Sequence, residues 1–155
     1  MIGLGAITIA ERKYAQHQAP VYMYIFMHES DLIVPGTQHP LGAAHALQIP
    51  YKFNNIQGTK NVRRDSPMRM DIMSDSRPSS VKTALNMSEM WSTFARTGHP
   101  AAKGQPYWPP YNTEKRATIE IDAQCRVVDD PFGAERSMWE RLWNRDGFAC
   151  RNQHV

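Results

Sequence analysis

Cysteine is scarce in this chain, whose 155 residues include only Cys125 and Cys150. Two cysteines are too few for the disulfide framework of a small secreted domain, and neither lies in a C-x-x-C pair that would indicate zinc binding or redox chemistry. A disulfide between the two, or with cysteines of another segment, stays open. The sequence therefore leaves the redox compartment undetermined.

Long apolar runs are also absent. No window approaches the run of about eighteen apolar residues that a membrane span requires, so the sequence predicts no such span. The first residues, MIGLGAITIA, lack a basic leader and are followed directly by Glu11, Arg12 and Lys13, which is unlike a secretory signal peptide. Neither observation assigns a cellular location.

The chain has no strong excess of charge of one sign. Eighteen basic and fifteen acidic side chains give a net charge of +3, and they are spread along the sequence, with Arg63 and Arg64 as the densest basic point. Nucleic-acid binders usually concentrate lysine and arginine on one face, so the charge pattern argues against a nucleic-acid partner. The apolar fraction of 41% is typical of a folded globular protein.

The chain has six histidines, a residue type that often binds metal ions. Four of the six histidines lie in the first third of the chain, and their spacing matches neither a helical H-E-x-x-H pair nor a compact ligand pattern. No cysteine cluster supports them. The sequence predicts no metal site and no cofactor. The four are His17, His28, His39 and His45.

One segment has the composition of a buried strand. Residues 21–27, VYMYIFM, place apolar side chains on both faces, as a parallel sheet covered by helices requires. No second segment of the same character follows. The sequence thus predicts an α/β fold in which the neighbours of this strand are missing from the chain.

The remaining elements are signalled by periodicity and by turn residues. We expect an amphipathic helix over residues 6–17 and a longer one over residues 79–96 that ends at Gly98. Two short strand candidates, residues 117–121 and 125–129, predict a hairpin. The long helix has an apolar face made of Val81, Ala84, Met87, Trp91 and Phe94.

A last helix is predicted with Asp130 as its N-cap and Pro131 as its first residue. Between the other elements, the polar residues 54–76 read as a long surface excursion. The apolar face of the last helix would comprise Phe132, Met138, Trp139, Leu142 and Trp143. Such aromatics usually pack in a core, although Trp139 and Trp143 could also form a dimer contact, so the oligomeric state stays open.

His45 is the candidate for chemistry. Small residues surround it in the sequence GAAHA, so that backbone and substrate can approach the imidazole closely. It follows the buried strand through a loop, and sites of open α/β sheets form at the carboxyl ends of strands. The competing interpretation is that His45 caps or packs at the start of a helix beginning near Ala46.

Several motifs, in order, resemble those of type-B carboxylesterases and cholinesterases. Residues 45–53, HALQIPYKF, resemble that family's catalytic-histidine segment, H-G/A-x-E-I/L-P-Y/F-x-F. Residues 91–100, WSTFARTGHP, resemble W-x-x-F-A-x-T-G-x-P, and residues 107–111 resemble W-P-x-Y. Residues 20–26 resemble the strand before the histidine, and residues 118–140 resemble the final hairpin and closing helix. The resemblance covers nearly the whole chain.

The resemblance implies that residues 1–155 are the C-terminal part of an α/β-hydrolase domain, with the last sheet strands, the catalytic-histidine loop, long helices and a terminal hairpin. It implies a serine esterase acting on a small-molecule carboxylic ester, with His45 as the catalytic base and no cofactor. In this fold the triad order is serine, acid, histidine, so the nucleophile and the acid would precede the chain.

The sequence agrees with that order, because it contains neither a G-x-S-x-G elbow nor an H-G-G-G-like segment. Its serines lack the strand-to-helix context of a nucleophile, among them Ser30, Ser66 and Ser88. The acidic residues before His45 are not assigned as its partner either. They are Glu11, Glu29 and Asp31.

Gln48 departs from the family pattern, which usually has glutamate three residues after the histidine. Glutamine keeps the hydrogen-bonding reach and loses the charge. This favours an alternative in which the chain is a non-catalytic, esterase-like interaction module. A third possibility, a small self-contained domain, would require residues 21–27 to be buried without sheet partners.

Overall fold

The structure, a computed structural model, describes residues 2–34, 36–56 and 77–145. The predicted excursion at residues 54–76 lies mostly outside this part of the chain, as does Cys150. In chain order the helices and strands are α1 (Ile2–Ala15), β1 (Met23–Phe26), β2 (Ser30–Ile33), β3 (Pro40–Gly42), α2 (Gln48–Lys52), α3 (Pro78–Thr97), β4 (Thr118–Ile121), β5 (Arg126–Val128) and α4 (Gly133–Arg145).

The main sheet has three strands in the order β1, β4, β5. β1 runs parallel to β4, with Met23 opposite Thr118, and β4 pairs antiparallel with β5 as the predicted hairpin requires. The expectation that the chain holds no partner for β1 was wrong, because β4 is that partner. The polar side chains of Thr118 and Glu120 concealed it: both are buried, and Glu120 forms an ion pair with Arg126. The predicted burial of β1 on both faces was also wrong, since all four of its residues are only half-buried.

Helix α3 confirms the prediction for residues 79–96. Pro78 occupies its first turn, and Gly98 ends it with a φ of 75°, a left-handed conformation that favours glycine. Of the predicted apolar face, Ala84 and Met87 are fully buried, whereas 45% of Phe94 is exposed. The helix also buries polar residues that its apolar periodicity did not indicate, namely Ser80, Thr83 and Asn86.

The core lies where the sheet meets α2 and α3. Aromatic rings join the layers edge to face, as between Tyr24 of β1 and Trp91 of α3, whose centroids are 4.9 Å apart. The Nζ atom of Lys52, in α2, lies 5.5 Å from the centroid of each of these two rings. The buried apolar cluster comprises Leu47, Tyr51, Ile56, Ala84, Met87, Met90, Trp108, Ile119, Ile121 and Cys125.

The last helix begins later than the sequence predicts. Asp130 is not its N-cap and Pro131 is not its first residue, because α4 starts at Gly133. Asp130 and Phe132 have positive φ angles of 45° and 62°, so the chain turns here before the helix can begin. The predicted apolar face is partly exposed, with Phe132, Met138 and Trp139 at 59%, 46% and 41%.

The loop after β1 is more regular than predicted. β2 and β3 form a two-stranded antiparallel sheet, and α2 follows after residues 43–47. We call residues 43–47 the histidine turn, since His45 is at its centre. Among the residues that the structure describes, no helix has the length and apolar character needed to cross a bilayer.

Candidate functional site

His45 lies on a tight turn of backbone between β3 and α2. The amide of Leu47 donates to the carbonyl of Ala44 at 3.2 Å, and the amide of Ile49 donates to that of Ala46 at 3.1 Å. Ala46 has a φ of 68°, which is uncommon for a residue with a side chain. The backbone is thus turned sharply at the residue after His45, and the imidazole is exposed.

The competing interpretation of His45, as a cap or a packing residue, does not fit this geometry. The N-cap position of α2 is Leu47, and no side chain caps the helix there. Leu47 is also the residue of the turn that packs into the core, with 1% of its surface exposed. The imidazole of His45 is therefore exposed, and Leu47, two residues later, anchors the turn in the core.

A cavity of about 630 Å³ adjoins His45. Its walls come from both ends of the chain, because α1, β1 and α4 contribute alongside the histidine turn. Next to the imidazole the lining consists of small side chains, and Gln48 lines the same cavity. Apolar side chains from the other elements include Ile7, Met23, Ile25 and Trp139.

One wall of the cavity carries a charged pair. Arg136 of α4 donates from Nε to Oδ1 of Asp130 at 3.2 Å and from Nη2 to Oδ2 at 2.8 Å, and its Nη1 donates to Glu140 at 2.8 Å. The hydrogen bonds from Arg136 outweigh burial and lower the pKa of Asp130. Gly133 leaves room for the pair, since a Cβ there would lie 2.7 Å from Oδ2 of Asp130.

The substitution Asp130→Asn tests this wall. It should lower the free energy of unfolding at pH 7 by about 1 to 2 kcal/mol, because Arg136 loses one of its two charged partners, and the pair with Asp130 is only partly exposed. A carboxyl whose pKa is lowered in the fold stabilises above its ordinary pKa of about 3.9 and loses that effect as the pH falls through the folded value. The difference in the free energy of unfolding between the Asp130→Asn variant and the unsubstituted chain, measured by urea unfolding, should thus shrink below about pH 4.

Asp129→Asn is the matched control, because Asp129 is the adjacent exposed carboxylate. It should change the free energy of unfolding by less than about 0.5 kcal/mol at either pH. Equal effects of the two substitutions would contradict a specific role for Asp130.

A second polar cluster, which the sequence did not predict, lies at the carboxyl end of the sheet. His28 follows β1, and its Nδ1 lies 2.7 Å from Oδ1 of Asp122, which follows β4. Its Nε2 lies 2.8 Å from Oγ of Ser80 in the first turn of α3. Thr83 of α3 donates to the carbonyl of Ser79 at 2.8 Å and lies 3.3 Å from Asp122. We call these residues, His28, Ser80, Thr83 and Asp122, the His28 cluster.

The His28 cluster is sealed from solvent on its serine side, since Ser80 is 0% exposed and His28 only 3%. Burial alone would raise the pKa of Asp122, but hydrogen bonds from His28 and from the Ala123 amide outweigh it, so the pKa is lowered. Asp122 is therefore a carboxylate at neutral pH. Asp122, His28 and Ser80 are hydrogen-bonded in the order of a catalytic acid, base and nucleophile. A substrate nevertheless has no access to Ser80, because this residue is fully buried.

Sequence reasoning missed this cluster because it did not pair β1 with β4. Parallel neighbours end at the same edge of a sheet, so the residues just after the two strands must meet there. His28 follows β1 by two residues and Asp122 follows β4 directly. With the pairing known, their proximity could have been predicted.

The described residues contain no group of three histidine, cysteine, aspartate or glutamate side chains that could hold a metal ion. Cys125 is a free thiol there, and burial raises its pKa, which disfavours the reactive thiolate. His45 and His28 do not belong to one cluster: His45 faces the cavity, and His28 lies beneath α2.

Comparisons with known proteins agree with the motifs. The model of the carboxylesterase family matches residues 1–139. The para-nitrobenzyl esterase of Bacillus subtilis is 28% identical over 134 residues, which are 83% of this chain and 23% of that protein. Carboxylesterase 4A of Bos taurus is 30% identical over 79% of this chain and 20% of its own length.

Solved structures show the same relationship. The carboxylesterase of Geobacillus stearothermophilus at pH 6.2 is 35% identical, with a TM-score of 0.58 over 84% of this chain and 24% of its own. A thermophilic PNB esterase has a TM-score of 0.65 at 25% identity, over 85% of this chain and 24% of its own. The chain thus spans about a quarter of the length of these relatives. It belongs to the carboxylesterase family and has part of the α/β-hydrolase fold.

Proposed function

We propose that His45 is the general base of a serine carboxylesterase and that this chain supplies it to the active site. The observation that carries the proposal is an exposed imidazole, held on a turn of small residues, that lines a cavity of about 630 Å³. Membership of the carboxylesterase family supports an ester as the substrate.

In this mechanism His45 takes the proton from a serine hydroxyl as the oxygen attacks the ester carbonyl, and then returns it to the leaving alcohol. In the second half of the reaction, water attacks the acyl-enzyme while His45 takes its proton, and His45 then returns that proton to the serine oxygen as the carboxylic acid is released. The serine and the acid that orients the imidazole would come from residues upstream of those in this chain. The substituents of the ester stay open, because most of the pocket would be built by those same residues.

A chimera provides the test. Residues 1–155 are joined to the part of the Bacillus subtilis para-nitrobenzyl esterase that precedes its matching segment. Because the matched segment carries the family's histidine motif, the chimera depends on His45 for its base. We expect it to hydrolyse a p-nitrophenyl ester, and we expect the isolated chain to give no turnover above buffer.

Robust turnover by the isolated chain would contradict the proposal, as would an inactive chimera that melts cooperatively. A smaller graft covers a chimera that fails to fold: residues 42–53 alone replace the matching segment of the Bacillus enzyme. These residues contain the histidine turn and α2, so turnover by the graft still depends on His45.

Gln48 supports a second candidate, a non-catalytic interaction module of esterase-like fold. The family usually has glutamate at this position, and Gln48 lines the cavity next to His45 without a charge. The gene upstream of Met1 distinguishes the two. A G-x-S-x-G segment there favours the esterase, and replacement of its serine favours the interaction module.

A further inference from the structure

We propose that His28, which bridges Ser80 and Asp122, is a positioning residue that fixes α2 and thereby the turn that carries His45. The consequence for catalysis rests on the function proposed above, whereas the structural claim does not. His28 never meets the substrate in this scheme, because its ring is buried and both of its nitrogens are engaged.

The hydrogen bonds of the His28 cluster have a defined direction. Asp122 is a carboxylate, which only accepts, so Nδ1 of His28 carries the hydrogen and donates to it. In the neutral ring Nε2 is then the acceptor, and the hydroxyl of Ser80 donates to it. Free imidazole has no such constraint, so the cluster selects one tautomer and one ring orientation.

This orientation ties three elements together. His28 follows β1, Asp122 follows β4, and Ser80 is in the first turn of α3. The sequence separations are 94 and 52 residues, so these two hydrogen bonds fix long-range geometry that no local turn can set.

The ring of His28 also supports α2 from below. Its centroid lies 5.4 Å from that of Tyr51, and the ring of Phe26 contacts both, at 6.2 Å from His28 and 5.0 Å from Tyr51. Tyr51 is fully buried and belongs to α2, which begins three residues after His45. Tilting the imidazole would therefore displace α2 and with it the histidine turn.

The chain that leaves His28 is anchored as well. Arg77, at the N-cap of α3, donates to the carbonyl of Glu29 at 2.7 Å and forms an ion pair with Asp31 at 3.3 Å. Arg77 thus holds the beginning of the segment from His28 to His45 to the start of α3. Beyond the end of that segment, Tyr51 of α2 packs against the ring of His28. The structure links the position of His45 to the start of α3 through these contacts.

The first measurement is the tautomer of His28 in the 155-residue chain. Nitrogen-15 NMR of the imidazole at pH 8, where an ordinary histidine is neutral, should show the hydrogen on Nδ1. Asp122→Asn should weaken this preference, because an amide can donate as well as accept. A hydrogen on Nε2 in the unsubstituted chain would overturn the proposed direction of these hydrogen bonds.

The second measurement is amide hydrogen exchange, with His28→Gln compared against His39→Gln. His39 is an exposed histidine in the connection between β2 and β3, directly before β3. We expect His28→Gln to raise exchange in residues 43–52 by about tenfold to a hundredfold, more than in α1 or β5, and His39→Gln to leave it within about twofold.

A uniform increase along the chain would mean that His28 only stabilises the fold, and it would overturn the positioning role, as would unchanged exchange in residues 43–52. Ser80→Ala is the milder variant should His28→Gln fail to fold, since it removes one hydrogen bond and no ring. It should raise exchange in the same residues to a smaller extent.

The catalytic consequence is measured in the chimera. His28→Gln should lower kcat by about tenfold to a hundredfold and leave KM within about twofold, because a misplaced base weakens the transition state more than the ground state. An equal effect of His39→Gln would overturn the link to His45. A chimera that melts cooperatively but is inactive would refute the proposed function and leave the tautomer and exchange results to decide the structural claim.

Discussion

His45→Ala in the chimera is expected to lower kcat for a p-nitrophenyl ester by about a thousandfold or more, the scale on which triad deletions act. Alanine cannot take the proton from the attacking serine, whereas binding of the ester does not require the imidazole. KM should therefore change little. Progress curves at saturating ester, with purified protein, provide the measurement.

His39→Ala is the control for this substitution, because it removes an exposed imidazole from the same part of the chain without touching the cavity lining. Its kcat should stay within about twofold of the parent. Added imidazole should restore part of the activity of His45→Ala and none to a variant that is merely misfolded. A loss of only a few fold in His45→Ala would remove this residue from the catalytic role.

Elements whose signals are local were predicted well from the sequence. Pro78 and Gly98 delimit α3 to within two residues, because each acts on its own backbone and needs no distant partner. The β4 and β5 hairpin was confirmed for the same reason, since only three residues separate the two predicted strands. The start of α4 was wrong, because Asp130 bonds Arg136 further along the chain instead of capping the helix.

Contacts between distant segments could not be read from local patterns. The parallel pairing of β1 with β4 joins residues 95 positions apart, and the polar side chains of Thr118 and Glu120 gave no sign that β4 is buried. Amphipathic alternation is typical of a half-exposed strand, so the sequence placed β4 in a hairpin alone. The role of β4 as the parallel neighbour of β1 was therefore overlooked.

In the candidate site, too, the features with local signals were predicted and those that depend on distant contacts were not. The position of His45 on a turn of small residues followed from its immediate neighbours and from the family motif, and the structure places it there. The His28 cluster depends on the strand pairing and on the polar face of α3, so its members looked like unrelated polar residues. The periodicity of apolar residues identifies the apolar face of a helix, but it does not indicate polar residues that are buried because they are hydrogen-bonded.

Tyr51→Ala should have the largest effect on stability of the substitutions considered, lowering the free energy of unfolding by about 3 to 5 kcal/mol. The ring is fully buried between Phe26 and His28, so its removal leaves a cavity beneath α2 that the β1 strand cannot fill. Urea unfolding of the 155-residue chain, followed by circular dichroism, measures the change.

Phe53→Ala is the matched control, because Phe53 follows α2 directly and 77% of it is exposed. It removes an aromatic ring of similar size without opening a cavity, so the free energy of unfolding should change by no more than about 0.5 kcal/mol. Tyr51 and Phe53 both belong to the motif that follows His45, yet only one of them supports the histidine turn from the core. Equal losses in the two variants would show that α2 is not anchored through Tyr51, and the path from the His28 cluster to His45 would then lack its middle step.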